Sequence, residues 1–180
     1  MGNFAVLVPG AIQATHNDSL VKNAKLATGA IENGNVISLG ALSTASGENE
    51  VFLAATPATA TLATAIYYMV NEPVNVLTDS KYLGLNDDPT NFNVLAGKPF
   101  TCYKPKVGDE IIISEDGLGG SKSTNTFVVP ANNTGELTWA ANASATSLGY
   151  ELLQTTYIEI PAATFYGRRK TAYKFRCVKA

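Results

Sequence analysis

The sequence has few of the residue types that carry most enzyme chemistry. Its 180 residues include one histidine and two cysteines. His16 has no Cys or His near it, so no zinc-ligand spacing is present, and nothing supports a Cys–His nucleophilic pair. Cys102 and Cys177 are too few for a disulfide framework, and their strand-like surroundings indicate small buried apolar residues. These absences predict a protein with no catalytic residues, no metal site and no cofactor.

Charge is also scarce. Charged residues make up 16% of the chain, and the net charge is −2, whereas soluble domains average roughly 25% charged residues. A nucleic-acid partner is therefore not expected, and the weakly charged surface favours self-association. Residues 32–120 carry a balance of −7 and residues 151–180 a balance of +4. This split indicates either two solvated faces or a contact between the basic tail and an acidic protein surface.

Long hydrophobic runs and targeting signals are missing as well. The most apolar stretch, residues 58–70, is about 13 residues long, which is too short to cross a bilayer. The N-terminal sequence MGNFAVLVPG lacks a basic region, and its apolar run stops at Pro9. We expect a soluble protein that is made in the cytosol and has no membrane partner.

Short strands separated by turn residues dominate the rest of the chain. Phe100–Tyr103 and Ile111–Ser114 flank a Gly108-Asp109 turn, which predicts a hairpin. Asn33-Gly34 predicts another hairpin. Similar signals recur along the chain, with about ten short strands and little helix. The predicted fold class is all-β, with a small β-barrel or sandwich core at residues 31–180.

The first 30 residues follow a different pattern. They hold one short apolar strand, Phe4–Val8, then a Pro-Gly break and a mixture of polar residues with alanine. Because this segment could not bury a core alone, we expect an extended N-terminal arm over residues 1–30. Such an arm could order on binding and add a strand to a neighbour's sheet, with Phe4, Val6 and Val8 as contact residues.

Apolar and basic residues alternate in the C-terminal region. Tyr173, Phe175 and Cys177 are predicted to face inward, with Lys174 and Arg176 facing outward.

A basic run precedes that strand. It comprises Arg168, Arg169 and Lys170 and follows Gly167. It is either a solvated turn between the last two strands or a patch that contacts a partner, since arginine binds carboxylates bidentately.

Paired carboxylates offer little for acid–base chemistry. Asp87-Asp88, Asp109-Glu110 and Glu115-Asp116 are adjacent pairs, and neighbouring residues on a strand face opposite sides of the sheet. Asp87-Asp88 could hold calcium together with Asn86, but the EF-hand spacing is absent. The glycines at 117, 119 and 120 do not lead into a helix, so they form no phosphate loop. The sequence does not predict an enzyme.

The order of several short motifs resembles a known family. IENGNVISLGAL, EVFLAATPAT, NEPV, LNDD, AGKPF and KVGDEIIISEDGL follow one another over residues 30–118. In this order they are similar to the head decoration (capsid cement) proteins of tailed bacteriophages. The chain departs from that pattern at Phe100–Tyr103, where a basic residue is expected before the aromatic.

The resemblance implies several properties. The family implies a β-rich core, an extended terminal arm, clustering at capsid symmetry axes and no enzymatic activity. The expected role is to bind the outside of the capsid and clamp adjacent major capsid subunits. The expected partners are the major capsid protein and sister copies in a homotrimer. The expected location is the capsid exterior of the virion, after assembly in the host cytoplasm.

An alternative from another class is a carbohydrate-binding or adhesion module on the virion surface. It would use exposed aromatic side chains on a β-sandwich face. The candidates are Tyr67, Tyr68, Tyr82, Tyr103, Trp139 and Tyr150. The same residues are equally suited to a protein core or an oligomer interface.

Overall fold

The computed structural model describes residues 3–74, 89–160 and 168–180, without the side chain of Arg168. The predictions for Tyr82 and for Asp87-Asp88 lie outside these residues. The prediction of an all-β fold is confirmed. The strands are β1 (Leu7–Pro9), β2 (Val21–Leu26), β3 (Ala30–Ile31), β4 (Val36–Leu42), β5 (Val51–Ala55), β6 (Tyr67–Val70), β7 (Val94–Leu95), β8 (Phe100–Tyr103), β9 (Glu110–Ser114), β10 (Leu118–Gly119), β11 (Phe127–Pro130), β12 (Leu137–Ala140), β13 (Gly149–Ile160) and β14 (Arg168–Lys179).

Two large sheets hold most of these strands. The first has seven strands in the order β1-β9-β14-β13-β11-β12-β10, and the second is a closed five-stranded barrel in the order β2-β5-β4-β6-β8. Strands β3 and β7 form a separate two-stranded sheet. The helical segments among the described residues are short 3-10 turns, at Gln13–Thr15, Asp18–Leu20, Thr59–Thr61, Pro89–Asn91 and Glu115–Gly117.

The main core lies between the barrel and one face of the seven-stranded sheet. Alternate residues of the barrel strands serve two different cores, because successive side chains of a strand point to opposite faces. Val36 and Tyr103 pack into the main core against sheet residues such as Phe175. Their neighbours Ile37 and Cys102 pack inside the barrel. The two layers are therefore joined through the same strands that close the barrel.

The prediction of an extended arm over residues 1–30 is wrong in this structure. Strand β1 forms one edge of the seven-stranded sheet and pairs with β9. Strand β2 lies between β5 and β8 in the barrel. Ala24 and Leu26 of β2 are buried in the barrel interior. In the segment VKNAKL only Ala24 and Leu26 are buried, and these two are enough because the other strands of the barrel supply the rest of the core.

The two predicted hairpins also need correction. The turn at Gly108-Asp109 exists, with Gly108 at φ +99° and the Asp109 N–H donating to the Lys106 carbonyl at 3.0 Å. However, β8 belongs to the barrel and β9 to the seven-stranded sheet, so this turn carries the chain between layers. At the second site Gly34 has φ +87°, yet β3 pairs with β7, and β4 pairs with β5 and β6.

Adjacent strands pair antiparallel at two places, and the alternation predicted for the last strand is confirmed. Strands β11 and β12 form an antiparallel pair, as do β4 and β5. In β14, Tyr173, Phe175 and Cys177 are buried in the main core. Lys174 and Arg176 lie on the opposite face, where they pair with Glu110.

Candidate interaction surface

Strands β13 and β14 form a long hairpin that extends beyond its neighbours in the sheet. Each strand has 12 residues. Strand β11 pairs with β13 only at Tyr150 and Glu151, and β9 pairs with β14 only from Ala172 to Arg176. Within the described ranges, no other strand lies beside residues 153–160 or 168–171. We call these two segments together the distal hairpin.

The two faces of the distal hairpin differ sharply. On one face Ile158, Ile160 and Ala172 are buried and pack with Val6 of the N-terminal segment. On the other face Thr155, Tyr157 and Glu159 are exposed. Tyr157 is 62% exposed, more than any other large hydrophobic or aromatic side chain in the described part of the chain. The hairpin is thus anchored through one face and open on the other.

Charged groups flank Tyr157 on the open face. The Arg169 Nε and Nη2 donate to the Glu159 Oε1 at 3.2 and 3.1 Å, and both side chains are at least 70% exposed. Toward the base of the hairpin, Lys122 Nζ donates to the Thr155 Oγ1 at 3.0 Å and lies 5.0 Å from the centre of the Tyr173 ring. From its base outward, the open face therefore presents a cation, a tyrosine and a carboxylate–guanidinium pair.

The structure separates the three basic residues that were predicted as one patch. Arg168, Arg169 and Lys170 begin strand β14 rather than forming a turn. Because consecutive strand residues face opposite sides, Arg169 lies on the open face. Lys170 has a side chain that is only 11% exposed, and its Nζ pairs with the Asp116 carboxylate. Of the two described side chains, only Arg169 is available to a partner.

The predicted contact residues of the N-terminal segment are divided in the same way. Val6 is buried, and its N–H donates to the Ser114 Oγ at 2.9 Å. Phe4 is half-buried, and its N–H donates to the Thr90 carbonyl at 3.0 Å. Val8 is 39% exposed on the edge strand β1. Val8 is thus the most accessible of the three.

The aromatic residues proposed for a glycan-binding face lie mostly in the core. Tyr67, Tyr103, Trp139 and Tyr150 are buried, and Tyr68 is half-buried. Aromatic residues on strands suit a core as well as an exposed binding face, so sequence alone did not separate the two possibilities. Conversely, the alternation T-T-Y-I-E-I places Tyr157 opposite the apolar face of the strand, and this is the signal in the sequence that marks it as exposed.

The thiol and imidazole groups of the described residues lie in different surroundings. Burial raises the pKa of the Cys102 and Cys177 thiols to about 12, so both are protonated at neutral pH. His16 is exposed. In the described ranges, no group of three His, Cys, Asp or Glu side chains is placed to hold a metal ion.

A cleft of about 340 Å³ lies where the barrel meets the C-terminal end of β14. Two lysines, Lys104 and Lys179, line it together with the hydroxyl-bearing residues Thr64, Tyr67 and Ser147. Its lining includes no Asp, Glu, His or Cys. The cleft therefore offers cations and hydroxyl groups without a neighbouring carboxylate, imidazole or thiol side chain.

Comparison with known proteins adds no relative. No protein-family model, curated protein or solved structure matches the chain. Among the described residues, no helix is long and apolar enough to span a membrane. The distal hairpin is consequently the best-defined surface on which to base a function.

Proposed function

We propose that this chain is a virion structural protein that binds the outer surface of a tailed-phage capsid. It stabilises the shell by clamping adjacent major capsid subunits and carries out no catalysis. The observation that carries the proposal is the order of short motifs over residues 30–118, which is similar to that of phage head decoration proteins. Three of these motifs, IENGNVISLGAL, EVFLAATPAT and KVGDEIIISEDGL, include strands β4, β5 and β9, which belong to the barrel and the seven-stranded sheet.

The distal hairpin supports this proposal because it can reach across a seam between capsid subunits. A strand of eight residues spans about 26 Å, and residues 153–160 form such a stretch with its outer edge unpaired by any described strand. The exposed Arg169 can exchange its partner Glu159 for a carboxylate on the shell. An exposed ion pair contributes only about 0.2–1 kcal/mol, so binding must come from many copies seated on a repeating lattice.

The proposed partners are the major capsid protein and other copies of this chain. The resemblance implies a homotrimer at a capsid symmetry axis. The low charge of the chain, with 16% charged residues, is compatible with close packing of copies. The proposed location is the capsid exterior.

A binding experiment on purified particles tests this function. Quantitative mass spectrometry of virions from the phage that encodes the chain should find it in a fixed ratio to the major capsid protein. Particles stripped of it should release DNA at a lower temperature, and the added protein should restore the original value. Arg169→Ala should rebind more weakly at low salt, because salt screens exposed charge pairs.

The same experiment has a clear negative outcome. If the protein is absent from purified virions, or if stripped particles neither rebind it nor change in stability, the proposal fails. A glycan array would then test the carbohydrate-binding alternative, although the described candidate aromatics do not form an exposed face.

A further inference from the structure

We propose that the outer edge of β13 pairs with the same edge of a second copy, antiparallel and around a two-fold axis at Tyr157. The occupant of this surface is a copy of this chain, and the site is the stretch from Gln154 to Ile160. This inference concerns the protein free in solution, where no capsid contacts the edge, and it does not rest on the capsid role or on the homotrimer proposed there.

The outer edge of β13 is open. On the side away from β14, strand β13 has no strand partner among the described residues beyond Glu151, and the last backbone hydrogen bond described on the β11 side runs from the Leu152 N–H to the Thr126 carbonyl at 2.8 Å. The other edges of the seven-stranded sheet, β1 and β10, have only three and two residues. A long unpaired edge is a template for pairing with another chain.

The side chains on this edge favour one register. An axis at Tyr157 places this tyrosine beside its counterpart, so that two side chains that are each 62% exposed cover one another. The same axis sets Thr155 opposite Glu159 of the copy. An axis at Glu159 would instead set two carboxylates against each other, which is unfavourable for residues that face directly across a sheet.

The charges on this edge are complementary in the antiparallel arrangement. Lys122 Nζ is hydrogen-bonded to the Thr155 hydroxyl, at the end of the edge that would face Glu159 of the copy. In the dimer the two-fold axis sets Lys122 of each copy near Glu159 of the other, so this pairing of opposite charges occurs twice. Glu159 is 74% exposed where it pairs with Arg169, so it can accept from Lys122 of the copy as well. The edge is therefore complementary to itself when it runs antiparallel.

Cysteine cross-linking of the full chain tests both the dimer and its register. Paired residues on antiparallel strands have Cα atoms about 4.5–5.5 Å apart, within the range of a disulfide. Under mild oxidation, Tyr157→Cys should form a covalent dimer. Thr155→Cys alone should form little, because residue 155 faces residue 159 of the copy. A mixture of the Thr155→Cys and Glu159→Cys proteins should cross-link. The native thiols are buried and serve as an internal control.

Sedimentation equilibrium of the unmodified protein, from about 1 μM to about 1 mM, covers the Kd range of weak association. The proposal predicts a monomer–dimer equilibrium, and Tyr157→Lys should weaken it at least tenfold by setting like charges on the axis. A monomer at every concentration, or a trimer unaffected by Tyr157→Lys, would overturn the proposal. Cross-linking of Thr155→Cys alone at least as strongly as Tyr157→Cys would overturn the register.

Discussion

Glu32 and Glu110 show how two carboxyl groups in one protein respond in opposite directions to their surroundings. Burial raises the pKa of Glu32, and the nearby carboxylates of Glu136 and Asp116 add to that rise. The Ala5 N–H, which donates to the Glu32 Oε2 at 2.7 Å, acts in the lowering direction. By contrast, hydrogen bonds from Lys174 and Arg176 lower the pKa of Glu110.

The raised pKa of Glu32 predicts that Glu32→Gln stabilises the protein at neutral pH. The amide oxygen can still accept from the Ala5 N–H, while the cost of the half-buried charge is removed. We expect the Tm at pH 7 to rise by at most about 2–4 °C, which corresponds to ~1 kcal/mol in a chain of this size, since solvent screens a half-exposed group. Thermal unfolding followed by circular dichroism measures this.

The same substitution has a defined pH dependence. A carboxyl group whose pKa is raised by folding lowers stability only while it is ionised in the folded state. The gain from Glu32→Gln should therefore shrink as the pH falls from the raised pKa toward about 4, where the unfolded group also takes up a proton. A lower Tm for the variant at pH 7 would contradict the account of Glu32.

Lys170 and Arg169 provide a matched pair for a second prediction. Both begin β14, but the Lys170 side chain is 11% exposed and that of Arg169 is 70% exposed. Lys170→Ala leaves the Asp116 carboxylate without its partner and should lower the free energy of unfolding by roughly 1–3 kcal/mol. Arg169→Ala should change it by less than about 0.5 kcal/mol. Equal effects in urea denaturation would show that the buried pair is not formed.

At the scale of strands, local patterns identified many elements but not their partners. The alternation of Tyr173, Phe175 and Cys177 correctly placed one face of β14 in the core. The turn at Gly108-Asp109 was also recognised, but its strands lie in different layers. A turn residue fixes a local φ angle, whereas strand pairing depends on contacts with distant residues, and no local pattern encodes those.

The N-terminal segment shows the same limit and leads to a third prediction. Residues 1–30 supply β1 and β2, and β2 closes the barrel between β5 and β8. Deleting these residues should expose the barrel interior and abolish cooperative thermal unfolding. Removing only residues 1–3 is the control and should leave the transition in place. A truncated chain that unfolds with the original Tm would restore the interpretation of an arm.

A close contact between two elements gives a fourth prediction. A Cβ added at Gly117 would lie 2.5 Å from the Ala5 Cβ and 3.0 Å from the Ile113 Cγ2. Gly117→Ala should therefore push the N-terminal segment outward and cost about 1–3 kcal/mol, as overpacked cores do. Ala5→Gly in the same chain removes the closest clash and should recover part of that loss in chemical denaturation. No recovery would mean that Ala5 is not the obstacle.

For the whole molecule, the sequence indicated the fold class but not the arrangement of two layers. Short strand patterns and frequent turns predict an all-β chain, which the barrel and the seven-stranded sheet confirm. The candidate surface was only partly anticipated. Arg169 of the basic run is exposed, whereas the side chain of Lys170 is only 11% exposed and Val6 is buried, because distant elements pack against them. The sequence alone does not identify Tyr157 as a surface residue of interest, because its exposure depends on how far β13 and β14 extend beyond the neighbouring strands.

The proposed role places this protein on the outside of a phage capsid. An averaged electron-microscopy map of virions of a phage whose genome encodes this chain, compared with a map of virions that lack it, tests this role directly. We expect extra density outside the shell that fits the barrel and the seven-stranded sheet and contacts more than one major capsid subunit. Identical outer surfaces in the two maps would rule the role out.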